Sequence, residues 1–200
     1  MKPIKSLFIL AVLVTLSVAG SAAHAQRYYE PGHGGFLHRP GRIVFGFSGG
    51  LGFMHAGGDD ITCDNCNSVG GEVEGHVGGM LTRQFALMFE TQWNFKTIHA
   101  DGYNGDTVAA QSTAMIAGQF WLLPQLWIKG GFGLAHLSIS DDYASSDLDN
   151  GWAVMGAVGY EVFAARYFAI DLQGRLITGI YRGNDDNITA GTIGVGVNWY

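Results

Sequence analysis

The chain has 200 residues, 48% of them hydrophobic and 14% charged, with a formal net charge of -6. That acidic balance argues against a nucleic-acid partner, because phosphate contacts need clustered Lys and Arg. Glycine at 31 positions without a Gly-X-Y period, alongside 12% aromatic residues, excludes a collagen-like chain and disfavours disorder.

At the N-terminus, Lys2 and Lys5 precede an apolar run from Leu7 to Val18, and Ala23-His24-Ala25 precedes Gln26. These are the three parts of a secretory signal, so residues 1–25 are expected to be removed, leaving a more acidic mature chain. The apolar run is shorter than the ~20 residues a membrane-spanning helix needs. Residues 26–41, with Tyr28, Tyr29, Arg27 and Arg39, read as a flexible leader, and residues 42–200 as a single domain. Cys63 and Cys66 lie in an exported chain, where thiols pair, and a lone CxxC lacks the second half of a structural zinc site. A local disulfide is expected, and no metal or cofactor.

Eight stretches then alternate in character with the period of two that marks strands with unlike faces. The first, about Arg42 to His55, sets Ile43, Phe45, Phe47, Leu51 and Phe53 against Val44, Gly46, Ser48, Gly50 and Gly52. In the second, Val69 to Thr82, Val73, Val77 and Leu81 oppose Glu72, Glu74, His76 and Gly78. The third, Phe85 to Ile98, alternates Phe85, Leu87, Phe89, Trp93 and Phe95 with Met88, Glu90, Gln92, Asn94 and Lys96. The fourth, Ala109 to Leu122, sets Ala114, Ile116, Phe120 and Leu122 against Gln111, Thr113 and Gln119.

The fifth, Gln125 to Ser138, places Leu126, Ile128, Phe132 and Leu134 opposite Trp127, Lys129, Gly131, Gly133 and Ala135. The sixth, Gly151 to Phe163, opposes Trp152, Val154, Val158, Tyr160 and Val162 to Ala153, Ala157, Gly159 and Glu161. The seventh, Tyr167 to Tyr181, alternates Phe168, Ile170, Leu172, Leu176 and Ile180 with Asp171, Gln173 and Arg175. The eighth, Ile188 to Tyr200, sets Ile193, Val195, Val197 and Trp199 against Gly194, Gly196 and Asn198.

Connections alternate between tight turns, at Arg83-Gln84, Leu123-Pro124 and Ala165-Arg166, and longer loops of roughly seven to thirteen residues, the asymmetry of bacterial barrels. Most of the seventeen acids lie in those loops: Asp59, Asp60 and Asp64, then Asp101 and Asp106, then Asp141, Asp142, Asp147 and Asp149, then Asp185 and Asp186.

One face holds nearly all the Leu, Ile, Val and Phe. The other combines glycine with Glu72, Glu74, His76, Glu90, Gln92, Lys96, Lys129, Glu161, Asp171, Gln173 and Arg175. Such polar rows cannot form a dry core, because unpaired buried charges cost several kcal/mol or more, but they suit a lumen of paired charges and water. The apolar face is then turned to lipid, where an open sheet edge is forbidden and the sheet must close. The expected fold is an all-β, eight-stranded antiparallel up-and-down transmembrane β-barrel. Aromatic girdles are expected at both interfaces, from Phe85, Phe120, Tyr167, Phe168, Trp199 and Tyr200 near the turns and Trp93, Phe95, Trp152 and Tyr181 near the loops.

This pattern, over about Arg42 to Tyr200, resembles the outer membrane β-barrel domain family of small eight-stranded barrels, which includes the OmpA membrane domain, OmpX and OmpW. The closing Gly194-Val195-Gly196-Val197-Asn198-Trp199-Tyr200 looks like the aromatic-ended last strand of such proteins. The resemblance implies an outer-membrane location, contact with its lipids, and an assembly signal at Val195, Val197, Trp199 and Tyr200 read by the barrel assembly machinery. Tyr200 departs from it by falling one position beyond the apolar row.

Three function classes fit. The first is a non-enzymatic integral barrel with a structural or surface-interaction role through its acidic loops. The second is a narrow pore or carrier for small solutes, for which the polar lumen would be the path. The third is a lipid-modifying enzyme, for which His136 and Ser138 resemble the His-x-Ser pair of outer-membrane lipid A deacylases. Ile139 stands where that family has Asn, so no enzyme is expected. The Asp-rich loops lack EF-hand spacing and read as solvated acidic surface.

Overall fold

A computed structural model describes residues 43–57, 70–99, 106–140, 145–165, 167–181 and 187–200. The expected signal peptide, the leader over residues 26–41, the Cys63–Cys66 disulfide and the acids at 59, 60, 64, 101, 141, 142, 185 and 186 lie outside the described residues.

Alternating β-branched and aromatic side chains favour extended backbone, and the described chain forms eight strands. They are β1 (Ile43–Gly57), β2 (Gly70–Met80), β3 (Phe85–His99), β4 (Asp106–Trp121), β5 (Leu126–Ser140), β6 (Ser145–Ala164), β7 (Phe168–Tyr181) and β8 (Asn187–Trp199). Each pairs antiparallel with its sequence neighbours, and β1 pairs with β8, so the sheet closes in the order β1 to β8. At the seam Phe45 lies opposite Trp199, and their rings stack at 5.3 Å and 5°. Phe47 adds a second contact to the same indole at 5.6 Å. Closure leaves no strand edge open, which a sheet with an apolar outer face requires in lipid.

The turns are tied by backbone hydrogen bonds. Leu81 N donates to Phe85 O at 2.9 Å, Leu122 N to Leu126 O at 2.9 Å and Ala165 N to Phe168 O at 2.8 Å. At the opposite end the strands run further than their composition suggests. β6 begins at Ser145 and has 20 residues, so Asp147 and Asp149, expected in a loop, belong to a strand, as does Asp106 in β4. The contrast between short turns and long loops is correspondingly weaker than expected. Polar residues can extend a ladder once it leaves the hydrocarbon layer, because pairing there needs no apolar side chain. Two register shifts disturb β6, one opposite Leu137/Ser138 and one between Glu161 and Phe163. The second adds a residue at Val162 and brings Phe163 opposite Ile170 and against the Phe168 ring at 5.4 Å.

The expected faces hold across the strands, except that Val197 of the outward β8 row is buried at 6% exposure. Outer positions are exposed apolar side chains, among them Ile193 at 76% and Phe132 at 64% exposure. In water such a continuous apolar belt would be a liability, and in a bilayer it is the contact surface. No helix among the described residues is long and apolar enough to cross a membrane. Two members of the expected girdles are corrected. Tyr181 and Tyr200 are buried at 7% and 9% exposure and turn into the barrel. Each sits in the inward phase of its strand, and each hydroxyl has a buried partner there, Gln111 for Tyr181 and Glu161 for Tyr200.

Candidate functional site in the barrel lumen

The inward positions converge because strand twist and closure bring rows from distant strands face to face. On β2, Glu72, Glu74 and His76 lie one pleat apart, and the register sets them beside Asn94, Gln92 and Glu90 of β3. Arg175 reaches into this group from β7. One Nη lies 2.9 Å from Glu90 Oε1 and 3.1 Å from Glu72 Oε1 and donates to Gln92 Oε1 at 3.1 Å. The other lies 3.6 Å from Glu74 Oε2 and donates to Gln173 Oε1 at 3.4 Å. Lys129 of β5 donates to Glu90 Oε2 at 3.0 Å and lies over the Trp127 ring at 5.3 Å.

Hydroxyls and an amide bind further carboxylate oxygens. Ser48 donates to Glu74 Oε2 at 2.8 Å, Thr192 donates to Glu72, and Asn198 donates to Asp171 Oδ2 at 2.7 Å. His76 Nδ1 lies 2.7 Å from Glu74 Oε1. A second, smaller group sits toward the turns, where Trp121 Nε1 donates to Glu161 Oε1 at 2.9 Å and the Tyr200 hydroxyl donates to it at 3.1 Å. The Trp121 and Tyr200 rings meet edge to face at 6.1 Å.

Of the expected lumen residues, Glu72, Glu74, His76, Glu90, Gln92, Lys129, Glu161, Asp171, Gln173 and Arg175 are all buried inside the barrel. Lys96 is the exception: it faces inward opposite Ala109 near the loop end of β3, only half-buried and outside the ion-pair network. The fill between the charges is also more apolar than expected. Met88, Met115, Met155, Val44, Ala86 and Ala117 pack with the buried indoles of Trp121 and Trp127. Toward the loops Ile177, Ile188, Ala190 and Tyr181 occupy the interior. Alternation placed Trp127 on this face, and the same phase could have found Trp121 and Tyr200.

His136 and Ser138 lie on β5 next to the register shift of β6. His136 Nδ1 is 2.9 Å from Asn150 Oδ1, at the exposed end of the strand and away from the lumen network.

No family model matches the chain, and no curated protein does. Solved structures do. Ail, the attachment invasion locus protein of Yersinia pestis, matches with a TM-score of 0.56 at 11% identity in its complex with the heparin analogue sucrose octasulfate. A second Ail crystal structure gives 0.53 at 12%, and both matches cover 78% of this chain and 99% of that one. Neisserial surface protein A is similar at a TM-score of 0.48 and 17% identity, over 78% of this chain and 95% of its own. The likeness is one of fold, and it agrees with the closed eight-strand topology and the lipid-type outer face. The molecule has the architecture of a small eight-stranded outer-membrane β-barrel. Within that class its interior carries a buried network of charged side chains packed among apolar ones.

Proposed function

We propose that the chain is an integral outer-membrane barrel without catalytic activity, whose role is structural or lies in surface interaction through its acidic extracellular loops. The filled interior carries this reading. Arg175 ties β7 to β2 and β3 across the barrel, Lys129 ties β5 to β3, and two fully buried tryptophans lie toward the turns. Eight strands leave an interior just wide enough for side chains, and here they occupy it, which disfavours the narrow-pore reading.

The ends of the barrel are then the surface available for function. Acidic loops favour cationic partners and repel polyanions. On this reading the chain differs from Ail, whose structure holds a sulfated sugar analogue. His136, held by Asn150 near the outer rim, supports no acyl-transfer site, and expression is expected to leave lipid A mass unchanged.

The test is planar-bilayer recording on the mature chain refolded in detergent. The expected outcome is a flat baseline at protein amounts that give clear openings for a known porin. Regular single-channel steps that track protein concentration would replace this reading with the pore.

A further inference from the structure

The lumen holds more acidic than basic side chains. Among the described residues of the central network, Glu72, Glu74, Glu90 and Asp171 face Lys129 and Arg175 as the cationic side chains. Asp171 lies near Lys129, Arg175 and His76, and Asn198 donates to it at 2.7 Å. The carboxyl groups outnumber these cationic side chains four to two, in a medium where uncompensated charge is costly.

The place where compensation fits is the node of His76, Glu74 and Glu90. One ligand atom from each lies within 4.8 Å of the others, and all three side chains are buried. His76 and Glu90 are register partners, and Glu74 is one pleat from His76, so the backbone itself fixes the trio. An independent observation points the same way. His76 Nε2 is buried without a hydrogen-bond partner, in a side chain 3% exposed, whereas its Nδ1 is held by Glu74. Buried nitrogens are rarely left so unless something binds them. The Cβ-less Gly46 makes room for the ring, since a Cβ there would meet His76 Cε1 at 2.7 Å and Asn198 Oδ1 at 2.8 Å.

We propose that Glu74, His76 and Glu90 form a buried site for one divalent transition-metal ion of the zinc class. One imidazole nitrogen and two carboxylates suit a borderline ion better than Ca²⁺ or Mg²⁺, which take oxygen ligands. Bonds of about 2.0–2.2 Å require the trio to draw together from its present spacing. The ion adds positive charge where carboxyl groups outnumber cationic side chains. Lys129, on its flexible stem, gives up Glu90, while Arg175 keeps Glu72, Gln92 and Gln173.

The test refolds the mature chain in micelles with Zn²⁺ present, because the packed lumen slows later entry. Cys63→Ser and Cys66→Ser remove thiols that would bind zinc elsewhere. After a chelator wash, about one zinc per barrel is expected, with at least a tenfold loss of affinity in His76→Gln and in Glu90→Gln. Zinc anomalous scattering from crystals of the barrel with His76 and Glu90 intact locates the ion even where those variants fail to fold. A peak among the three side chains supports the site. No retained zinc, equal retention in a folded His76→Gln protein, or a peak elsewhere overturns it.

Discussion

Arg175 shows what a single side chain does in this lumen. Its guanidinium lies within 3.6 Å of three carboxylates, and five donors in a fixed fork can serve several acceptors at once. Such a buried cluster adds little net stability compared with an apolar interior, because desolvation offsets attraction, but removing one member strands the others. Arg175→Met is therefore expected to destabilise the folded barrel by about 3–5 kcal/mol, read from urea unfolding in micelles. A change below about 1 kcal/mol would mean that the carboxylates are held by other groups. Gly46 tests packing at the same scale. A Cβ there would lie 2.6 Å from Val197 O, part of the seam backbone, so Gly46→Ala is expected to cost about 1–3 kcal/mol in the same assay. Sequence showed which residues share the inward phase, but not that Arg175 would meet Glu72, Glu74 and Glu90. That depends on how far strands shear past one another, which alternation does not encode.

At the scale of the strand, each apolar row is set by the period of two, and it makes a depth-dependent claim. Phe132 lies in the middle of β5 on the outer face, while Leu122 sits where β4 gives way to the turn. Phe132→Arg is expected to destabilise by about 2–4 kcal/mol in lipid vesicles, and Leu122→Arg by no more than about 1 kcal/mol. Equal costs at both positions would remove the assigned membrane level. The rows were legible because burial in lipid demands apolar side chains at every second place. Strand ends were not, as β6 shows by running through Asp147 and Asp149. Tyr181 and Tyr200 were misplaced for a related reason. Aromatic character near a strand end suggested a girdle, whereas the phase of each strand carries the ring inward to Gln111 or Glu161.

For the whole molecule, the closed sheet is expected to persist in detergent and give a strand-dominated far-UV circular dichroism spectrum. An unheated sample should migrate faster on a gel than a boiled one, because the ladder stays intact until heated. A helical or disordered spectrum under conditions that refold comparable barrels would remove the architecture.

The pairing of β1 with β8 also sets a timetable. Strands made one after another can form hairpins as they emerge, but the first strand has no partner on its free side until the last has been delivered. Until then the growing sheet carries two adhesive margins and an apolar flank. The chain must therefore remain unassembled, with its sticky surfaces shielded, for at least as long as synthesis of the intervening residues takes.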